Sequence, residues 1–290
     1  MPKITKIEYR GKLKYVTLDG RKFVIKEKKR YDIDKVYQYL EDHGINHFIK
    51  PCEIREKELV FPYIESSLLE KEEKAERLIY VLSLWQNKTT IYKKLDMDLI
   101  KENYEEKKRR IAYLFSYYHD LQDAIETHVY MAPSEYLFIR NVSMIYSSLF
   151  YASHFLEEWY QEVQKNKNMR FTYCHGKCEL SHFSGGQEGC FISLEKAHLG
   201  YVWEDFLFFY QKHLQELDMI SLYHFYQHKY PYRKEEKLFF FLELSLPPKI
   251  DLYPNSFQKC QELVSFYDEI KLTEEFLSEQ EEIKKKKENR

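Results

Sequence analysis

The chain has 290 residues, 44% hydrophobic and 32% charged, long enough to bury a large core as one domain or as two lobes. Its 45 Lys and Arg nearly balance 47 Asp and Glu, and a net charge of −2 supplies no broad field for nucleic acid or an anionic membrane. No apolar stretch follows MPKITK and no run of 18 apolar residues occurs, so neither a secretory signal nor membrane insertion is expected. Five cysteines, an odd number, argue for a reducing cytoplasm over a disulfide framework.

In chain order, Lys3–Tyr9, Leu13–Leu18 and Lys22–Lys26 read as short strands separated by Arg10-Gly11 and Asp19-Gly20. Asp-Gly between two such runs predicts a tight hairpin, because both residues tolerate positive φ. A helix fits Asp32–His43, with Ile33, Val36, Tyr37 and Leu40 on one face and Gly44 as its stop. Phe48–Ile54 and Glu58–Ile64 complete a β-β-β-α-β-β order over residues 1–65. Residues 66–280 then read as helical. Ser67 and Glu70 form a candidate capping box, followed by the stripe Ala75, Leu78, Leu82 and Trp85, ending near Asn87. Ile111, Leu114, Tyr118, Leu121 and Ile125 mark a second helix. A third is expected over Ser134–Gln164, on the stripe Leu137, Asn141, Met144, Ser148, Ala152, Phe155 and Trp159. Segments 204–217, 219–229, 234–245 and 256–270 follow, and residues 281–290 form a charged tail expected to fray. With 26 Tyr and 20 Phe against 8 Gly and 8 Pro, the composition favours long helices. The tyrosine density at Tyr223–Tyr232 predicts an aromatic protein-contact surface.

One island interrupts the helices. Met169–Tyr173 and Gly189–Leu194 are β-type runs flanking His175–Gly186, with a Gly-Gly turn. Cys174, His175, Cys178, His182 and Cys190 place five soft ligands in 17 residues, which admits zinc, although no CxxC or finger spacing is present. The basic runs Lys107–Arg110 and Lys284–Lys287 are balanced by nearby Glu and read as solvated helix faces.

The segment Cys174–Asp205, CHGKCELSHF followed by GCFISLEKAHLGYVWEDF, resembles the aminoglycoside-phosphotransferase-like and choline-kinase-like families within the protein-kinase-like superfamily. Their pattern there is HGDxxxxN, then a strand ending in IDF, then a later Asp on a helix. The resemblance implies an α+β, two-lobed protein-kinase-like fold, with a small antiparallel-sheet N-lobe and a mostly helical C-lobe. It also implies a first Asp that accepts the proton of the attacking hydroxyl, and an Asn and second Asp that hold Mg²⁺. Here Lys177, His182 and Ser193 occupy those three positions. An ammonium cannot accept a proton at neutral pH and repels Mg²⁺, while neutral His and Ser lack hard anionic oxygens. Loss of the base alone costs about 10²–10⁴-fold in rate. Asp205 matches the family's structural Asp, which ties a helix start to the catalytic loop.

Lys26, in FVIK, sits where the family's phosphate-pairing Lys lies, but its expected helix partner falls at Ile33, and the glycine-rich loop is reduced to Gly11. Lys26 is thus a vestigial cofactor contact, allowing weak ATP binding and no other cofactor; the alternative, an ordinary strand-end lysine, stays open. LEDHGINHFIKP, ELVFPYIESS, LSLWQNKT and CHGKCELSHF, in that order, resemble the spore-coat-associated proteins of endospore-forming bacteria, the YutH type. That resemblance implies a catalytically degenerate, pseudokinase-like structural or binding protein, made in the bacterial cytoplasm and placed in the spore coat with other coat proteins as partners. The competing reading is an active small-molecule kinase using Glu179 or Glu195 as a non-standard base. Lys177 itself is expected to stand in for Mg²⁺ and to pair with Glu179 or Glu195.

Overall fold

The structure, a computed structural model, describes residues 4–11, 13–64, 69–184, 189–253 and 257–288. The chain divides into two compact units, residues 1–91, 171–209 and 224–230 in the first, and residues 92–170, 210–223 and 231–290 in the second.

In the first unit, strands β1 (Ile4–Arg10), β2 (Leu13–Leu18), β3 (Arg21–Glu27), β4 (Glu53–Ile54) and β5 (Glu58–Pro62) form an antiparallel sheet in the order β1-β2-β3-β5-β4. The predicted hairpin is present: Asp19 and Gly20 both have positive φ, and Leu18 pairs with Arg21. One face of the sheet buries Val16, Ile25 and Val60, with Leu18 and Phe23 packed against them. Helix α1 (Ile33–Asp42) buries Ile33, Val36, Tyr37 and Leu40, the face expected from spacing. The strand expected from Phe48 shrinks to Glu53–Ile54, because Pro51 offers no N–H to a ladder. Phe48 instead makes an isolated bridge to Phe191, with Ile49 N–H donating to the Phe191 carbonyl at 3.0 Å. That bridge fastens the segment after α1 to the 190s.

Helix α2 (Lys71–Thr89) starts without a side-chain cap at Glu70, and Ser67 lies outside the described residues. Besides its apolar stripe, α2 buries Ser83, Gln86 and Thr89, and two of these serve the strands beneath it. Gln86 Nε2 donates to the Val202 carbonyl at 2.9 Å, and Thr89 Oγ1 meets Thr172 Oγ1 at 2.8 Å. Trp85 Nε1 donates to the Tyr173 carbonyl at 2.5 Å. Buried polar groups with matched partners fix register more tightly than an apolar stripe alone.

Next in chain order are β6 (Ile91–Lys94), α3 (Met97–Glu126), α4 (Pro133–Val163), β7 (Asn168–Cys174), β8 (Phe183–Ser184), β9 (Cys190–Phe191), β10 (His198–Tyr201), α5 (Glu204–His213), α6 (Met219–Lys229), α7 (Lys234–Ser245) and α8 (Phe257–Glu288). Two sequence expectations change around β7. The strand expected over Gly189–Leu194 is only Cys190–Phe191 and pairs with β8, whereas β7 pairs with β10. The Gly-Gly turn lies outside the described residues.

In the second unit, α4 packs against α3, α7 and α8. Tyrosine hydroxyls tie the helices to loop carbonyls: Tyr118 donates to Pro248 at 2.5 Å and Tyr117 to Ile250 at 2.6 Å. The α4 stripe holds from Ser148 onward, but in its first half Phe138, Val142 and Ile145 are the buried residues rather than Leu137, Asn141 and Met144. Helix α8 runs far beyond residue 270 and carries the charged run as helix through Glu288; Glu and Lys are good helix formers, and no Gly or Pro interrupts them. The aromatic surface expected at Tyr223–Tyr232 is corrected: Tyr223, Tyr226 and Tyr230 are buried. Tyr223 stacks on Phe240 within the second unit, and the Tyr226 hydroxyl donates to Gln86 Oε1 within the first. Among the described residues, no helix is long and apolar enough to cross a membrane.

Candidate functional site

The candidate site lies within the first unit, where a pocket of about 650 Å³ opens between the sheet and residues 181–184, 192 and 193. Its apolar walls include Leu13, Tyr15, Val24, Phe61 and Ile192, and its polar lining includes Lys26, His182 and Ser193.

Asp205, fully buried at the start of α5, accepts the backbone N–H of His175 at 2.7 Å and of Gly176 at 2.9 Å. Burial raises its carboxyl to about pKa 6, against the opposing pull of those two N–H donors. His175 is buried too, which lowers its ring to about pKa 4. Its Nδ1 accepts the Lys177 N–H at 3.2 Å, and its Nε2 therefore carries the proton donated to the Ile192 carbonyl at 3.0 Å. Gly176 has φ +74, and a Cβ there would sit 2.3 Å from the Lys196 carbonyl oxygen. The turn therefore needs glycine for both its conformation and its space. Asp205 holds the position expected of a residue that ties a helix start to this loop.

The structure brings the three substituted positions together in two linked sets. In the first, Lys26 donates to the Ser193 hydroxyl and stands 3.9 Å from Glu195 Oε1. Burial lowers the Lys26 ammonium, Glu195 opposes that, and the nearby charge of Lys177 adds to it. Ser193 takes φ +68, an uncommon conformation for a residue with a Cβ. The sequence argument that Ser193 and Glu195 share one side of a strand fails, because Leu194–Lys196 is a 3₁₀ turn. The turn nevertheless aims both side chains at Lys26. Sequence reasoning missed this pairing, having sought the carboxylate partner of Lys26 on α1 at position 33, where buried Ile33 packs instead.

In the second set, Glu179 Oε1 receives Lys177 Nζ at 3.0 Å, Ser181 Oγ at 2.8 Å and His182 Nδ1 at 2.7 Å. His182 Nε2 in turn accepts from Lys177 Nζ at 3.3 Å. Partial burial pushes the Glu179 carboxyl upward, but the Lys177 and Ser181 hydrogen bonds and the His182 and Lys177 charges prevail and hold it at about pKa 2. Of the two partners foreseen for Lys177, the structure selects Glu179 and gives Glu195 to Lys26.

This arrangement does not fit the metal that the fold implies. Mg²⁺ requires several hard oxygens in octahedral array. The side-chain oxygens at the substituted positions and on the carboxylates paired with them are Ser193 Oγ and those of Glu179 and Glu195. The first is occupied by Lys26, the second by three donors, and the third faces Lys26. With its carboxyl at about pKa 2, Glu179 is also too weak a base to take a proton from a hydroxyl. What the site can do is present the Lys26 ammonium in a pocket with apolar walls, a setting for an anionic group attached to an apolar body.

The five soft ligands of the 174–190 segment do not gather. Among the described residues, the group with metal-ligand spacing is Cys174, His198 and Glu204, of which the sequence reading included only Cys174. Cys178 is buried, and burial pushes its thiol well above the usual range.

No protein-family model matches the sequence, and no curated protein sequence matches it. At the level of structure the chain is similar to an aminoglycoside phosphotransferase from Alicyclobacillus acidocaldarius. The two share 11% identity over 95% of this chain and 91% of that one, with a TM-score of 0.72. It is also similar to a spectinomycin phosphotransferase in its AMP-bound complex, at 14% identity over 93% of each chain and a TM-score of 0.57. At such identities the likeness concerns backbone alone, and it agrees with the antiparallel sheet and the helices that follow. The chain has the α+β protein-kinase-like fold found in aminoglycoside phosphotransferases.

Proposed function

We propose that this chain is a catalytically degenerate member of the phosphotransferase fold that works by binding. The observation that carries the reading is the occupation of the would-be metal ligands by cations: Lys26 on Ser193 and Glu195, Lys177 on Glu179. Coulomb repulsion between these ammonium groups and Mg²⁺ opposes metal loading, and the charge stabilisation a metal gives to phosphoryl transfer, several kcal/mol, goes with it. Nucleotide contact is then weak and metal-independent, made by Lys26 and the apolar walls.

The biological setting we propose is the spore coat of an endospore-forming bacterium, with other coat proteins as partners and synthesis in the cytoplasm. It rests on the sequence resemblance at LEDHGINHFIKP, ELVFPYIESS, LSLWQNKT and CHGKCELSHF. Two experiments test the two halves. A phosphate-release assay with Mg-ATP should read background; turnover abolished by Glu195→Ala would replace this reading with that of a small-molecule kinase using Glu195. A fluorescent fusion expressed in a sporulating host should collect at the spore periphery, and diffuse fluorescence in the mother cell would overturn the coat assignment.

A further inference from the structure

We propose that Cys174, His198 and Glu204 form a zinc site that clamps the back of the His175–Gly176 loop, independently of what the pocket in front of that loop binds. The three side chains come from the end of β7, the start of β10 and the start of α5, and their donor atoms all lie within 4.8 Å of one another. Pairing puts them there: His198 is the direct partner of Cys174 in the β7–β10 ladder, so both side chains rise from one face of the strand pair. Glu204 reaches over the same strands because position 200 is glycine; a Cβ there would meet the Glu204 carboxylate at 2.7–2.9 Å.

The polarity of the contacts calls for a cation. His198 Nδ1 lies 2.9 Å from the Lys196 carbonyl, which can only accept, so Nδ1 carries the hydrogen. In the neutral ring Nε2 is then a bare lone pair, yet it faces Glu204 Oε2 at 2.9 Å. Two acceptors cannot rest face to face; a proton or a metal ion has to lie between them. The other carboxylate oxygen, Oε1, accepts the Tyr201 N–H at 2.6 Å, which orients the group and turns Oε2 toward His198 Nε2. A ring held by Nδ1–H on a backbone carbonyl, with Nε2 turned to the site, is the outer-shell arrangement usual for a metal-ligating histidine.

The third donor selects the metal. Cys174 Sγ is fully buried at the floor of the group, with its S–H directed to the Tyr201 carbonyl at 3.4 Å, whereas His198 and Glu204 are partly open to solvent. Thiol, imidazole and carboxylate together suit Zn²⁺, whose ligands at roughly 2.0–2.3 Å leave a fourth, tetrahedral position for water. On binding, the S–Zn bond replaces S–H and the thiol proton leaves to solvent. The consequence is structural: the ion joins β7, β10 and α5 next to the residues Asp205 holds, and its histidine leans on Lys196, whose carbonyl Gly176 makes room for.

The test is metal titration of the whole chain. Protein stripped with a chelator is titrated with Co²⁺, followed by the thiolate-to-cobalt absorption band, and Co²⁺ is then displaced by Zn²⁺. One equivalent should bind with the band present. Cys174→Ala should lose the band, and His198→Gln and Glu204→Gln should each weaken Zn²⁺ binding tenfold or more, in keeping with loss of one ligand. Should Cys174→Ala not fold, the two partly exposed substitutions decide the matter by affinity alone. Absence of uptake by the wild type would overturn the site and leave a proton on His198 as the bridging cation. A band that persists in Cys174→Ala, or affinity unmoved in both other variants, would overturn it equally.

Discussion

Behind the His175–Gly176 turn Asp205 is buried and matched to backbone N–H groups, whereas in front of the turn the polar side chains are crowded, partly exposed and shared. Asp205 behind receives two backbone N–H groups at 2.7 and 2.9 Å. Glu179 in front receives three side chains on one oxygen. A buried acceptor of backbone groups holds the chain whatever the loop is used for. A half-exposed cluster of side chains holds only itself, and its members are free to change with function. The two faces of one loop thus separate what the fold needs from what the chemistry uses.

The comparison is most exposed to Asp205→Ala. Two buried N–H groups would lose their acceptor, at roughly 1–3 kcal/mol each. Urea unfolding should show a loss of about 2–6 kcal/mol, and a change within the scatter of surface substitutions would mean that the back of the loop is not an anchor.

Acid titration sharpens the contrast. Glu179 is held at about pKa 2 in the folded chain, against about 4.3 when unfolded. The folded state binds fewer protons there, so Glu179 contributes stability above pH 4.3 that is lost as pH falls toward 2. Asp205, raised to about 6, contributes in the opposite sense, and its contribution disappears as pH rises through 6. His175, lowered to about 4, removes stability as pH falls from 6.5 toward 4, so these two buried groups offset each other across that window. Stability followed by thermal melting should therefore change little between pH 4.5 and 6 on their account and fall below pH 4. Glu179→Gln should flatten the acid limb; an unaltered limb would place its cause elsewhere.

The smallest expected effect belongs to Lys177→Ala. Its side chain is 38% exposed and its partner Glu179 keeps two other donors, so the pair contributes about 0–1 kcal/mol. A loss rivalling that of Asp205→Ala, read from the same urea curves, would make the front of the loop structural and erase the distinction.

Much of this was legible in the sequence because it depends on local rules. The Asp19-Gly20 hairpin, the buried face of α1 and the span of α7 follow from turn chemistry and periodicity. The family resemblance implied that Lys177, His182 and Ser193 converge; His182 and Ser193 line one pocket, whereas Lys177 is not among its lining residues and meets His182 beside it. The pairing of β7 with β10 was not legible, because His198–Tyr201 is four residues with no alternating pattern. The carboxylate facing Lys26 was likewise hidden: Glu195 arrives through a 3₁₀ turn preceded by a left-handed Ser193, a geometry that strand periodicity cannot express. The buried Tyr223 and Tyr226 mislead for a related reason, since tyrosine density alone does not distinguish an interface from a core whose hydroxyls meet partners such as Gln86.

The central claim is that ammonium groups hold the place of magnesium. Calorimetric titration of ATP into the protein, once with Mg²⁺ and once with a chelator present, addresses it directly. The account predicts the same weak affinity in both titrations, and a further drop for Lys26→Ala. Affinity that tightens tenfold or more when Mg²⁺ is added would contradict it, because only a site with oxygens free for the ion can respond in that way.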